Sequence, residues 1–326
     1  MSQDKISRVG INTLSVIAGR TLNLLIQLFV SIAIANYLGD YRYGQFNLAL
    51  TFIGFFDILV NFGTTQITIR EIVSHPKQTN TIVGSVLTLR CTLLLISIGL
   101  GSLIATSLNY DDIEIILILI FFSNFLFSTR LASVRKTLES PFEAQLQMLL
   151  VTLLQIIDSI ILLIATLLAI QKNASLLQLA LVYTLSNAPG TIIIAIWGLR
   201  KYRILPKFSS TKIQHLLLLG FPVMLFRLFS NINTRMDVLV VDYFRGSSEV
   251  GLYSAATRLI YPLFFVASSL SVSFLPLLTS YHRSRNSNFK TLFLLGIKLL
   301  DHCRIKRPGC IIYFKKLVDH PKSLYR

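Results

Sequence analysis

The sequence predicts an all-α, polytopic integral membrane protein. Hydrophobic residues make up 53% of its 326 residues and charged residues only 14%, whereas about 25% of an average soluble domain is charged. Apolar windows of at least about 20 residues, the length needed to cross a bilayer, recur along the chain. This composition excludes an ordinary soluble enzyme, a disordered chain and a fibrous repeat. The eight predicted spans are residues 11–36, 44–64, 82–107, 113–134, 147–170, 176–199, 215–243 and 251–278, and a ninth apolar run at 289–300 is interrupted.

The loops between these spans predict the orientation of the chain. One alternating set of loops, which includes Arg135, carries 15 basic residues, and the opposite set, which includes Glu114, carries 3. Basic loops face the cytoplasm, so we expect a multi-pass protein of the cytoplasmic (inner or plasma) membrane with a cytoplasmic N-terminus. The net charge of +16 is scattered over several loops, and no nucleic-acid-binding face is therefore expected.

An internal repeat is visible at a constant offset of 207 residues. The stretch NYLGDYRYGQFNLA at 36–49 matches YFRGSSEVGLYSAA at 243–256. Six spans separate the two copies, so both have the same orientation and the repeat is parallel, a pattern common in transporters. Residues 1–200 are accordingly predicted to form a first six-helix bundle, and 201–300 the start of a second. The matched positions include two turn glycines and one intramembrane arginine in each copy: Gly39 with Gly246, Gly44 with Gly251, and Arg20 with Arg227.

Two longer stretches carry a resemblance to a known family. NYLGDYRYGQFNLALTFIGFFDIL and NINTRMDVLVVDYFRGSSEVGLYSAATRLIYPL, together with IREI at 69–72, resemble polysaccharide-biosynthesis membrane proteins. These are the lipid-linked oligosaccharide (O-antigen type) flippases of the multidrug/oligosaccharidyl-lipid/polysaccharide exporter superfamily. The resemblance covers about residues 6–300. It implies two six-helix bundles that move an undecaprenyl-pyrophosphate-linked sugar from the cytoplasmic to the outer leaflet, with membrane lipid, the lipid-linked oligosaccharide and polysaccharide-assembly enzymes as partners.

The last segment, 301–326, departs from the family pattern. It carries 7 of the 31 Lys and Arg residues and contains no further span. The favoured interpretation is a frame-shifted or prematurely ended gene product, so that the chain is truncated within the second bundle. A basic tail that sits on anionic lipid is the alternative. A zinc site is not expected, because the spacing of the tail's ligands fits no usual zinc motif; those ligands are His302, Cys303, Cys310 and His320.

Ionisable residues inside predicted spans are the candidate functional residues. Each costs about 2.5–3.5 kcal/mol at a helix centre, and such residues usually face a bundle interior or a water-filled cavity. A guanidinium donates two parallel hydrogen bonds to a phosphate, which suits a diphosphate headgroup. Arginines that snorkel or pair locally are the alternative. The candidate substrate-binding residues are Arg20, Arg90, Arg227 and Arg235.

The intramembrane acids leave two interpretations open. Asp57 and Asp158 either bind a coupling ion or proton, or pair with Arg90 or Arg20. Asp237 and Arg258 have similar predicted depths, and we expect them to form an inter-helix ion pair, in which each lowers the desolvation cost of the other.

The predicted function is that of a flippase, which exports a lipid-linked oligosaccharide by alternating access through an arginine-lined cleft. The sequence lacks the nucleophile-elbow, zincin, P-loop and dinucleotide-binding motifs, so no enzyme activity, catalytic residue or cofactor is predicted. A drug or cation efflux carrier of the same superfamily is one alternative; it requires an anionic cavity, for which Asp57 and Asp158 are the only support. An inactive fragment is the other alternative.

Overall fold

Long helices dominate the computed structural model, which describes residues 3–128, 131 and 134–258, with side chains from residue 18 onward. A one-turn 3-10 helix, Pro76–Gln78, precedes α3, and a last helix, α11, is described over 247–258. The other helices are α1 (Gln3–Asn61), α2 (Thr64–Ser74), α3 (Thr79–Ser107), α4 (Asp112–Phe122), α5 (Asn124–Phe127), α6 (Val134–Ala144), α7 (Met148–Gln171), α8 (Leu176–Leu185), α9 (Ala188–Tyr202) and α10 (Ser210–Arg245). The all-α fold class is confirmed.

A glycine divides α1 into two spans. Its 59 residues would extend about 88 Å as one straight helix, far beyond the ~30 Å hydrocarbon core. Gly39 has φ 67° and ψ 177°, which is not helical and is open to glycine because it has no Cβ. Gly246 adopts φ 80° and ψ 177° between α10 and α11. The same bend therefore occurs at both positions of the 207-residue offset, which confirms the repeat.

The two repeat turns pack against each other reciprocally. A Cβ on Gly44 would overlap the carbonyl oxygen of Ser247, and a Cβ on Gly251 would overlap the carbonyl oxygen of Asp40. Ser247 is the repeat equivalent of Asp40, so each turn presents the same glycine to the same position of the other. This is the contact pattern of a two-fold symmetric interface, and it explains why both copies hold glycine here.

Two hydrogen bonds join loops that are distant in sequence. The Tyr37 hydroxyl donates to the carbonyl oxygen of Ala174 at 2.9 Å. Nζ of Lys212 donates to Oε1 of Gln78 at 2.8 Å. These contacts join loops that the sequence places in the same alternating sets. The chain is a multi-pass membrane protein.

Six of the eight predicted spans fall in helical segments long and apolar enough to cross a membrane. The predicted span 113–134 is not one continuous helix, because the chain turns at Ser123 and becomes extended at Ser128. The Ser123 hydroxyl bonds to the carbonyl oxygen of Ile120 and so competes with the helix ladder. Most of 251–278, the run at 289–300 and the tail at 301–326 lie outside the described residues. The five apolar segments are Ala18–Ser74, Pro76–Ser107, Met148–Gln171, Leu176–Tyr202 and Ser210–Arg245.

A packed core joins the second half of α1 to α4 and α8. Phe46 makes edge-to-face contacts with Phe121 and Tyr183, with ring centroids 5.0 and 5.5 Å apart. Large apolar side chains also point outward, including Leu95 and Leu103, which are 71% and 65% exposed. An apolar outer surface over a packed core is what a bilayer solvent requires.

Candidate functional site

The candidate site lies where α10 packs along the second half of α1. The two helices are antiparallel: Gly220 of α10 meets Phe62 and Gly63, and Asn231 donates from Nδ2 to the carbonyl oxygen of Gly54 at 3.1 Å. Gly63 has φ 69°, and a Cβ there would overlap the carbonyl oxygen of Gly220. Glycine at this crossing therefore sets a close approach between the helices.

Two arginines and an asparagine form a stripe on the face of α10 that contacts α1. We call Arg227, Asn231 and Arg235 the α10 stripe. Residues four apart lie on one face of a helix, and all three are half-buried while most of their neighbours on α10 are exposed. The guanidinium of Arg235 occupies the space where a Cβ of Gly54 would lie. The stripe is therefore polar and cationic at the boundary between α10 and α1.

Arg90 lies beside this stripe but is only 1% exposed. Its Nη1 donates to Thr137 Oγ1 at 2.8 Å, and its Nη2 donates to Thr65 Oγ1 at 2.7 Å, with Thr64 Oγ1 and Asn61 Oδ1 at 3.2 and 3.3 Å. The guanidinium thus ties α3 to α6 and to the α1–α2 junction. In this conformation Arg90 is a positioning residue.

The charges around Arg90 come from both sides of the boundary. Asp57 of α1 attracts the Arg90 guanidinium, and Arg227 of the α10 stripe repels it. Asp57 is one turn after Gly54, which contacts Arg235. Arg90, Arg227 and Arg235 against Asp57 leave an excess of positive charge, which favours an anionic ligand at this boundary.

Asp158 belongs to a different site, where α7 meets α6 and α9. Its Oδ2 accepts from Nη1 of Arg135, and its Oδ1 accepts from the backbone N–H of Gly190 at 2.9 Å. Nε of Arg135 also donates to Oε1 of Glu139 at 2.9 Å. A Cβ on Gly190 would overlap the Asp158 carboxylate, so glycine is needed here. The observed partner of Asp158 is Arg135, rather than Arg90 or Arg20.

Arg135 corrects the loop assignment made from sequence. The sequence places it among the basic loop residues, but its side chain is fully buried in α6. Its neighbour Lys136 pairs with Glu139 and Glu143. Burial raises the pKa of Glu139, against the opposing effect of Lys136 and Arg135. This buried ion-pair cluster holds two cations and three carboxylates, the third being Asp158.

The remaining predicted residues lie elsewhere. Arg20 is exposed on α1, next to Gly19, which packs against Thr152 of α7. The carboxylate of Asp237 accepts a hydrogen bond from the Tyr253 hydroxyl. Arg258 is the last described residue, and its pairing with Asp237 stays a prediction. Within the part of the chain whose side chains are described, Arg20 forms no hydrogen bond or ion pair.

Two acids meet at the repeat turns. The Ser247 hydroxyl lies 3.2 Å from Oε1 of Glu114 and 3.5 Å from Oδ1 of Asp242. Oε1 of Glu114 also accepts from Nε2 of Gln45 at 3.5 Å. Burial raises the pKa of the Tyr110 phenol in the adjacent loop, and the charges of Asp242 and Glu114 raise it further. Within the described residues, no group of three or more His, Cys, Asp or Glu side chains is placed to hold a metal ion.

The family of the chain follows from comparison with known proteins. A family model described as polysaccharide biosynthesis protein matches residues 9–282. The chain belongs to this family. It is therefore a membrane protein of polysaccharide biosynthesis and export, in a family whose members are typically transporters rather than enzymes. The resemblance noted in the sequence is confirmed.

A solved structure supports the fold. A chain designated protein A matches with a TM-score of 0.52 and 16% sequence identity, over 96% of this chain and 72% of its own length. At this identity the match shows the fold alone. No significant match to the chain is found among curated proteins.

The sequence interpretation missed the buried ion-pair cluster. Arg135 and Glu139 are four residues apart, as are Glu139 and Glu143, a spacing that places them on one face of a helix. This spacing was a usable signal for a charged helix. Nothing in the sequence signals that this helix is buried, because 134–144 is far less apolar than the spans beside it.

Proposed function

We propose that this member of the polysaccharide biosynthesis protein family is a flippase, which moves a lipid-linked oligosaccharide across the cytoplasmic membrane by alternating access. The observation that carries the proposal is the α10 stripe. Within the described residues, Arg227 and Arg235 form no hydrogen bond or ion pair, and both are half-buried on the face of α10 that contacts α1. Intramembrane charge of this kind marks a substrate pathway.

The position of the stripe suits a headgroup in mid-membrane. Arg227 lies 17 residues after the start of α10 and 18 before its end, about 26 Å from either at 1.5 Å per residue. A diphosphate brings at least two negative charges, and planar guanidinium groups bind phosphate oxygens in pairs. The lipid tail would remain in the bilayer while the α10 stripe holds the diphosphate. The sugar would be recognised by amides such as Asn231.

The first repeat supplies a matching arginine. Arg20 is the repeat equivalent of Arg227, and it is exposed. With 1–200 as a first bundle and 201–300 as the start of a second, the parallel repeat would aim both arginines at one cleft. We place the N-terminus in the cytoplasm on the charge bias of the loops. Polysaccharide-assembly enzymes are the expected partners on either side of the translocation step.

The intramembrane acids give less support to cation efflux. Asp158 is neutralised by Arg135, and Asp57 interacts with the charge of Arg90. An anionic cavity built from these two carboxylates would therefore carry little net negative charge. This favours a flippase over the efflux alternative.

Proteoliposomes test the proposal. The purified chain is reconstituted with a labelled polyprenyl-diphosphate oligosaccharide, and translocation is measured as access of the sugar to a membrane-impermeant oxidant. We expect transport by the wild-type protein, and at least a tenfold loss in Arg227→Ala and Arg235→Ala. Arg245→Ala is the matched control, because Arg245 is an exposed arginine in the last turn of the same helix; it should keep transport within twofold.

Two results would overturn the proposal. Movement of a cationic dye in place of the oligosaccharide would show an efflux carrier. Movement of neither molecule by the wild-type chain would show that this chain does not transport on its own.

A further inference from the structure

An open cavity of about 420 Å³ lies where α6, α7 and α9 meet, away from the α10 stripe. One wall is apolar and aromatic, and the rim is basic. The cavity is lined by Phe142, Gln147, Leu150, Trp197, Arg200 and Lys201. This set contains two cations and no acid.

The turn between α6 and α7 fixes one of the cations. Leu146 has φ 61°, and the backbone N–H of Gln147 donates to the carbonyl oxygen of Phe142 at 2.9 Å. The turn directs two amide oxygens at Lys201, whose Nζ lies 3.1 Å from Oε1 of Gln145 and 3.2 Å from Oε1 of Gln147. The same Nζ lies 5.6 Å from the centre of the Phe142 ring. Lys201 is therefore held at the rim of the cavity.

The other cation is available to a ligand. Arg200 lies in the last turn of α9 and is exposed. It forms no hydrogen bond or ion pair with any residue whose side chain the structure describes. A guanidinium in this state has its five donors open to an anion.

The surface around the cavity has the character of a lipid-facing surface. Leu146, in the turn itself, is 67% exposed. Trp197 is 41% exposed, and tryptophan is enriched where spans meet the headgroup region. The cavity thus lies at the end of the spans, where phosphates and acyl chains meet. Further exposed apolar side chains on α7 and α9 are Met148, Leu149, Leu153, Ile196 and Leu199.

We propose that this cavity binds the phosphate of an anionic membrane lipid. Arg200 and Lys201 would bind the phosphate, and an acyl or prenyl chain would lie against Leu150 and Trp197. The site is separate from the α10 stripe and does not depend on transport. A phospholipid and a polyprenyl phosphate both carry a phosphate on a long apolar chain. The experiment below therefore distinguishes between these two ligands.

Trp197 reports on the site directly, because it is the only tryptophan in the chain. The full-length protein is reconstituted in nanodiscs that contain a small fraction of lipid brominated on its acyl chains, which quenches nearby tryptophan. Brominated phosphatidylglycerol is compared with brominated phosphatidylcholine at equal mole fraction. We expect the anionic lipid to quench Trp197 several times more effectively.

Variants that remove one positive charge from the cavity test whether the cavity causes this preference for the anionic lipid. A basic residue near an anionic membrane surface contributes ~1 kcal/mol, so Arg200→Gln and Lys201→Gln should each lower the preference about fivefold. Arg203→Gln is the control, since Arg203 is exposed just beyond α9 and does not line the cavity. It should keep the preference. Thermal unfolding of each variant checks that the fold is intact.

The outcomes separate clearly. Equal quenching by the two lipids, or a preference that survives in both Arg200→Gln and Lys201→Gln, would overturn the proposal. Unlabelled undecaprenyl phosphate and unlabelled phosphatidylglycerol are then each titrated against brominated phosphatidylglycerol. Relief of quenching at a mole fraction well below that of the phospholipid identifies the polyprenyl phosphate as the ligand, and relief only at equal fractions identifies the phospholipid. Failure of both unlabelled lipids to relieve quenching would also overturn the proposal.

Discussion

The arginines of α3 and α6 differ in their surroundings from those of α10. On α3 and α6, Arg90 and Arg135 are almost fully buried and donate to side chains on neighbouring helices. On α10, Arg227 and Arg235 are half-buried, and they form no hydrogen bond or ion pair within the described residues. All four carry the same guanidinium; Arg90, Arg227 and Arg235 lie in apolar segments, and Arg135 lies in the more polar helix α6. The difference lies in what surrounds each guanidinium.

This difference separates stability from function. A buried guanidinium with satisfied donors holds helices in place, and its removal leaves buried partners unpaired. A half-exposed guanidinium without a partner contributes little to stability and remains able to bind an anion. The following predictions test whether the two sets separate in this way.

The largest effect is expected from Arg135→Ala. This change leaves Asp158 and Glu139 buried without their main cation, and loss of one partner from a buried ion pair costs about 3–5 kcal/mol. We expect a large fall in apparent Tm in detergent and poor recovery of folded protein in size-exclusion chromatography. Arg200→Ala, an exposed arginine of α9, is the control. An unchanged Tm in Arg135→Ala would show that the ion-pair cluster is not structural.

Arg90→Ala should cause the second-largest loss of stability. It removes hydrogen bonds from a charged donor to hydroxyl and amide oxygens on three helical segments, an interaction worth about 1.5–3 kcal/mol. Arg90→Lys keeps the charge but cannot reach Thr65 and Thr137 at once, so its Tm should lie between those of the wild type and Arg90→Ala. If Arg90→Ala kept its Tm and lost only transport, Arg90 would belong with the α10 stripe.

A smaller loss of stability is expected from substitutions where the two repeat turns pack against each other. Gly44→Ala and Gly251→Ala place a Cβ against the backbone of the other turn, and such overpacking costs about 1–3 kcal/mol. Gly99→Ala is the matched control, because a Cβ there meets nothing within 4 Å and alanine favours a helix by about 1 kcal/mol. Tm should fall for the first two and hold or rise for Gly99→Ala. A fall of equal size in all three would argue against the reciprocal contact.

The repeat and the helical class were open to prediction because they depend on local signals. Apolar windows predict spans, and glycines at a fixed offset predict the turns at Gly39 and Gly246. The break in 113–134 was harder, since it depends on the hydroxyl of Ser123 within an otherwise apolar run.

The partners of the intramembrane charges could not be predicted in the same way. Asp158 pairs with Arg135, 23 residues away and assigned from sequence to a loop. Which acid meets which arginine depends on helix packing, and a glycine such as Gly190 decides how closely the chains approach. Exposure depends on packing as well, so the sequence grouped Arg90 with Arg227 although their surroundings differ.

The most direct test of the account measures transport and stability on the same preparations. Arg227→Ala and Arg235→Ala are compared with Arg135→Ala for apparent Tm in detergent and for translocation of the polyprenyl-diphosphate oligosaccharide per folded protein. The account predicts that the two α10 variants change the free energy of unfolding by no more than about 0.5 kcal/mol, the usual range for changes outside packed or paired sites. Their Tm should therefore stay close to that of the wild type, while transport is lost. Arg135→Ala should lose stability first. Full transport in the α10 variants, or a fall in their Tm as large as that of Arg135→Ala, would contradict it.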